Sequence, residues 1–479
     1  MFSELHSQFT LRAKDRMADL SERMLPLTLD DALHVLRRTT YQPTYGAALK
    51  LVGKTPHQAI SELIREADPV CMSPDWATKP PVINSFNDVA ILYPKLQAWW
   101  MDRVLGVGTM KERMVMFWQN LFTSDYINVY VPHWMVKQQQ LFRSNVFNYR
   151  SLATAIVGDP AMLRYLNGDI SIKGRPNENF AREWFELFTL GIGNYTEADI
   201  KEAAKAFTGW RTNGLDGVYN AQLADTSQKT ILGKTGNWIW SDVVSITLEH
   251  KACARHVARR ILKHFVEFYP TEETVDQVAA LIAKHDYDMM PVLEQVLTSE
   301  YFYSSHIRGC LIKSPAELVI GLAAVLDAQR IDRTYAIASM TKLTQEPFYP
   351  PTVEGWKGHH AWITSSTFPQ RQRYAEAFID GRQTGSSSKL MDSSGKSLVP
   401  DVVGFVRQLP KPNDAVSVVD TVARIMLPIE ATTAQKNALL EIMLAGAQVY
   451  EWSIDDASSV QRIKFLLQAI SRMPEFQLT

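Results

Sequence analysis

The chain has 479 residues, 46% hydrophobic and 21% charged, with 50 Lys and Arg against 51 Asp and Glu. A net charge of −1 without any Lys/Arg run offers no electrostatic footprint for nucleic acid, and no stretch of 18 apolar residues is present to cross a bilayer. Cys71, Cys253 and Cys310 are too few and too widely spaced for a disulfide framework or a CxxC knuckle, and the first 24 residues lack the apolar run of a secretory signal. A reducing, cytoplasmic setting is expected.

In chain order, helix starts recur. Thr28 with Asp31, Thr55 with Gln58, Thr196 with Asp199 and Ser314 with Glu317 each set a hydroxyl three residues before an acid or amide. That spacing satisfies orphan N–H groups at a helix start. Pro56 and Pro315 sit at the first helical position, where a missing N–H costs nothing. The apolar residues that follow (Leu33 and Leu36; Ile60, Leu63 and Ile64; Ala203, Ala206 and Phe207) keep helical rather than alternating spacing. Lys137, the three glutamines at 138–140 and Arg143 read as a partly buried hydrogen-bonding helix face.

The stretch NENFAREWFELFTLG, 177–191, is the most unusual helix. Asn177 is placed to cap it, and Gly191 or Gly193 to end it in a left-handed turn. Phe180, Trp184 and Leu187 share one face, widened by Phe185 and Phe188, which implies packing on more than one side. Glu178, Arg182 and Glu186 fall at i, i+4 and i+8, the spacing of a Glu–Arg–Glu ladder. As a solvated face each pair adds about 0.2–0.5 kcal/mol to the helix. As the wall of an internal cavity, the carboxylates bind a cation or position a substrate while Arg182 holds the geometry. An interface with another subunit is the third reading.

Residues 211–242, rich in Gly, Asn, Asp, Thr and Trp, read as loop with one or two short strands. His256 and His264 share a face of an arginine-studded helix, where capping or surface roles outweigh a site. His359 and His360 follow Trp356 in a glycine-bounded loop that could chelate a metal. Trp99, Trp100, Trp118, Trp134, Trp210, Trp238 and Trp240 fit core packing better than a stacking pocket. Residues 381–399 are Ser/Gly-rich, a linker or mobile loop. The layout is therefore predominantly α: a helical body over 1–380 with a hairpin-like insertion near 211–242, then a C-terminal helical segment of two or three helices over 400–479. No Walker loop, GxGxxG, GxSxG or HExxH is present.

A series of motifs carries a resemblance. PAMLRYLNG (160–168), KGRPNENFARE (173–183), ELFTLGIG (186–193), YTE (195–197) and TGW (208–210) form its centre. HVLRR (34–38), ERMVMFW (112–118), KTILG (229–233), SPAE (314–317), YPPTVEGW (349–356) and PEFQL (474–478) accompany them in order. Together they resemble the bacterial family of unknown function numbered eighteen-hundred. The resemblance implies a mostly helical fold, export in many relatives, and a protein partner from an associated family of unknown function, numbered fifteen-oh-one. It also exposes departures. Gln119, Asn120 and Leu121 stand where the family reads His-Asn-His, Phe188 stands for a histidine, and Ala224 precedes Asp225 where a His-Asp pair is usual. If the family's imidazoles belong to a His/carboxylate metal centre, this chain has lost them. Glu178, Glu183, Glu186 and Asp225 then suit a divalent cation such as Mg²⁺ or Ca²⁺, or no metal.

Two functions follow as expectations. In the first, the chain is a helical binding or assembly partner of another protein, with a degenerate polar site. In the second, it is an enzyme on a small substrate. Glu178, Glu183 or Glu186 serve as acid/base or cation ligands, and Arg182 and Lys229 position an anion. Trp118, Asn120, Trp210, Asp225 and Trp356 complete that candidate site as substrate contacts.

Overall fold

All four hydroxyl-led starts open helices with both halves of the capping box in place, at Leu29–Thr39, Pro56–Arg65, Glu197–Ala206 and Pro315–Val325. The structure is a computed structural model that describes residues 18–66, 72–83, 85–106 and 109–479. The N-terminal stretch through Met17, and Cys71, lie outside the described residues. The fold is predominantly α, with two small antiparallel hairpins: β1 (Trp210–Asn213) with β2 (Asp216–Tyr219), and β3 (Lys229–Ile231) with β4 (Lys234–Gly236). Among the described residues no helix is long and apolar enough to cross a membrane.

Helices Met110–Leu121 and Pro315–Val325 have no exposed residue, as expected of helices walled in on every side. The charges carried into that interior are matched in place. Glu112 accepts from Arg103 Nε at 2.9 Å and from Arg143 Nε and Nη2 at 2.9 and 2.8 Å, with all three side chains buried. Arg113 donates to Glu317 at 2.9 Å. Glu317 thus caps its own helix with one oxygen, accepting the Ser314 N–H, and neutralises a neighbouring helix with the other.

The HVLRR segment ties the chain together. Arg37 donates to the carbonyls of Arg424 and Ile425, and Arg38 to those of Val266 and Ile307. Three of these partners, Val266, Arg424 and Ile425, lie at the C-terminal ends of helices Lys251–Phe265 and Ala415–Met426, where carbonyls lack intrahelical donors. Beyond 400 the chain forms four α-helices, Val402–Arg407, Ala415–Met426, Thr433–Leu444 and Ser459–Arg472, more than the two or three expected. The last of them packs on helix Thr367–Asp380. The Ser/Gly-rich stretch between turns back on itself: Arg382 bridges Lys389, Met391 bridges Ser397, and Asp392 bridges Ile331 in the body. The closing residues fold inward. Leu478 bridges Ile312, Thr479 N–H donates to Leu311, and Phe476 and Gln477 are buried.

Helix Pro132–Ser144 carries the glutamine face as expected. Gln139 donates to Gln119, and Gln138 accepts from Ser124 and donates to Asp159 at 2.8 Å. Asp159 caps helix Pro160–Tyr165, but its Oδ2 is buried without a partner, and burial pushes its carboxyl up to about 7 against the bonds from Met162 N–H and Gln138. Because the folded value exceeds the unfolded value of about 3.9, this group's contribution is intact below pH 4 and is lost as pH rises through 7, by on the order of 3–4 kcal/mol. Urea unfolding at pH 5 and pH 8 should therefore show Asp159→Asn gaining on the wild type as pH rises. An equal gap at both pH values would refute this.

Candidate functional site

The 177–191 stretch starts later than its sequence suggests and changes pitch. The α-helix runs Asn179–Glu183; Asn177 accepts the Asn179 N–H at 2.9 Å from just outside it. Residues Trp184–Thr189 then form a π-turn, with Leu190 N–H reaching the Phe185 carbonyl at 2.9 Å, and Gly191 and Gly193 follow at positive φ. The wider turn rotates everything after Glu183, and the expected ladder breaks there. Arg182 lies 3.6 Å from Glu178 but makes its fork to Glu197, 2.8 Å at each oxygen, on a largely exposed face. Glu186 instead accepts from Tyr195 at 3.0 Å. Glu183 is half-buried. Burial, then Glu186 and Glu354, push its carboxyl up, while Arg182 opposes them.

The candidates in the insertion stand apart from this face. Lys229 is fully buried, but its ammonium donates to the Asp225 and Ser227 carbonyls at 2.7 and 2.8 Å and pairs with the Asp225 carboxylate at 3.3 Å. Its donors are spent on holding its own loop, so it is not presented to an anion. Trp210 packs against Tyr219 and Trp240. That hairpin seats tightly: a Cβ at Gly217 would lie 1.9 Å from the Gly158 carbonyl oxygen. Trp118 is core, with its indole N–H on Val146 at 2.7 Å.

Asn120 and Trp356 do meet. Asn120 Oδ1 accepts the Trp356 backbone N–H at 2.7 Å, and Nδ2 donates to its carbonyl at 3.1 Å. This clasp needs Gly355, which has φ +80° and where a Cβ would fall 2.3 Å from Asn120 Oδ1. The clasp borders a cleft of about 500 Å³, within the size range of small-molecule sites. Its walls come from helices Met110–Leu121 and Lys251–Phe265 and from the 354–362 loop, with Leu187 of the π-turn and Thr479 also in its lining. Of the ten expected site residues, only Asn120 and Trp356 line it.

The cleft's charged side chains are Arg113, Arg260, Lys263 and Lys357 against Glu317 and Glu354. Arg113 is matched by Glu317, and Lys357 lies 3.9 Å from Glu354 at the exposed rim. Arg260 donates to the Asn120 carbonyl at 2.8 Å and Lys263 rests over the Phe268 ring at 5.1 Å; neither forms an ion pair among the described residues. Burial lowers both, and their proximity to each other lowers Lys263 further, while Glu354 opposes the fall at Arg260. Two more wall atoms, Nε2 of His264 and Nε1 of Trp356, are buried without a hydrogen-bond partner. His264 is held neutral, well below its usual range, by burial with Arg113 and Arg260 nearby.

The family model described as Protein of unknown function (DUF1800) matches residues 34–478. The chain belongs to the DUF1800 family. No curated protein and no solved structure matches it. In this DUF1800 protein, no group of three or more His, Cys, Asp and Glu among the described residues could hold a metal ion. Glu178, Glu183, Glu186 and Asp225 are accordingly not gathered into one ligand set. His256 spends its Nε2 on the Leu187 carbonyl at 2.8 Å, a capping role. The cleft's cationic wall was missed in the sequence although its signal was present. Arg260, Lys263 and His264 sit at i, i+3 and i+4 on one helix face, and the acid at that spacing, Glu267, falls past the helix end at Phe265. Arg255 and Arg259 pair with Glu272.

Proposed function

We propose that this protein is a helical binding component whose occupant sits in the 500 Å³ cleft, and that it works with a protein partner of the kind the family resemblance implies. The observation carrying this is the wall of the cleft: two cations without carboxylate partners and two buried nitrogens without hydrogen bonds, in a space sized for a small molecule. An unmade buried hydrogen bond costs about 1–3 kcal/mol, so such a wall gains by receiving a ligand. A panel of neutral and anionic small organics, screened by thermal shift, should contain saturable binders. Leu187→Trp, which adds bulk to the cleft lining, should abolish their effect without unfolding the protein. If no compound stabilises the wild type in a way that Leu187→Trp removes, the reading fails.

The enzyme reading keeps one specific support. Glu354 lines the cleft, and Glu183, which does not, lies near enough for Glu186 and Glu354 to add to the upward push of burial on its carboxyl. On that reading Glu183→Gln stops turnover of a cleft ligand while leaving its affinity in place; on the binding reading no ligand is turned over by either form.

A further inference from the structure

We infer that the cleft recognises an oxyanion, a phosphoryl or carboxylate group on its occupant, held between Arg260 and Lys263. The inference rests on the binding reading above and names the ligand's chemistry. The geometry is that of a half-built ion pair. Arg260 and Lys263 lie three residues apart on one face of helix Lys251–Phe265, so their side chains point into the same space. Among the cleft's other charged side chains, Arg113 pairs with Glu317 and Lys357 lies 3.9 Å from Glu354, which also acts on Arg260 from a distance without pairing with it. Two cations drawn out of water beside each other raise one another's free energy, and a bound anion reverses that term. Arg260 is also fixed in orientation, since one N–H is committed to the Asn120 carbonyl at the end of helix Met110–Leu121. A guanidinium held in this way offers its remaining donors at little entropic cost, which favours a flat or tetrahedral oxyanion over a halide. The neutral His264 and the indole of Trp356 extend the same wall, adding hydrogen-bonding capacity next to the charge.

The test uses the full chain with inorganic phosphate and pyrophosphate in one arm, succinate in the other, and sodium chloride at matched ionic strength as reference. At least one arm should give a saturable rise in Tm beyond chloride, roughly 1–2 °C at ten times Kd for a chain of this size. Which arm responds assigns the group as phosphoryl or carboxylate. Lys263→Gln removes the charge without removing a protein hydrogen bond and should weaken the response about tenfold or more, whereas Lys263→Arg should retain it. A chloride-like response to every anion, or an unchanged affinity in Lys263→Gln, overturns the inference. If neutral compounds still bind in a Leu187→Trp-sensitive way while no oxyanion does, only the ligand class is wrong. If nothing binds, the binding reading falls with it.

Discussion

Glu112→Gln is expected to cost about 3–5 kcal/mol of unfolding free energy, because it removes the carboxylate that the buried Arg103 and Arg143 share. The arrangement is a carboxylate between two guanidiniums, with Arg143 also lying over the Trp99 ring at 5.2 Å. The net worth of the intact triad is another matter, since three desolvated charges cost nearly what their attraction returns. Replacing all three by methionine should therefore be far milder than the single substitution. Urea titration of the two variants decides it. Comparable losses in both would mean that the charges contribute stability outright, and a single-variant loss under 1 kcal/mol would mean that water reaches the site.

Arg38→Ala should be of similar severity, about 3–5 kcal/mol, through a different route. Arg38 forms no ion pair, although its charge favours the ionised form of the nearby Glu267. What disappears is the strong donor to two carbonyls, Val266 at 2.9 Å and Ile307 at 2.6 Å, which keep only the Cys310 Sγ–H at 3.2 Å and the Cys310 N–H at 3.3 Å, and the emptied volume of a fully buried side chain adds the cost of a cavity. Arg38→Lys should recover only part, because a single ammonium lacks the fork that spans both oxygens. Full recovery by lysine would show that the charge, and not the geometry, is what the helix ends require.

The comparison of sequence with structure divides along physical lines. Helix starts were legible because a capping box is local: hydroxyl, acid and backbone lie within four residues, and all four such sequences behave accordingly. The hairpin insertion was legible from turn residues for the same reason. The π-turn was not, since its i→i+5 bonds break the constant pitch a helical wheel assumes, and Glu186 pairs with Tyr195 instead of Arg182. Lys229 misled by its type. A buried lysine looks like an anion-binding group until its own loop carbonyls are seen filling it. The pairing of Asn120 with Trp356 spans 236 residues, and neither partner's neighbours announce the other. The candidate site was therefore located at two of its corners, while its charge pattern had to await the fold.

Arg37 and Arg38 carry a consequence for biogenesis. The groups that receive their protons are made between about 230 and 390 residues later. As the polypeptide leaves the ribosome, helix Leu29–Thr39 emerges with two guanidiniums and an apolar stripe whose seat does not yet exist. Its native docking must wait until residue 425 has been synthesised, at 5–20 residues per second roughly 20–80 seconds later. Over that interval the nascent chain needs shielding from association, and arrested chains ending before 425 should be markedly more chaperone-bound and protease-sensitive at this helix than those ending after it.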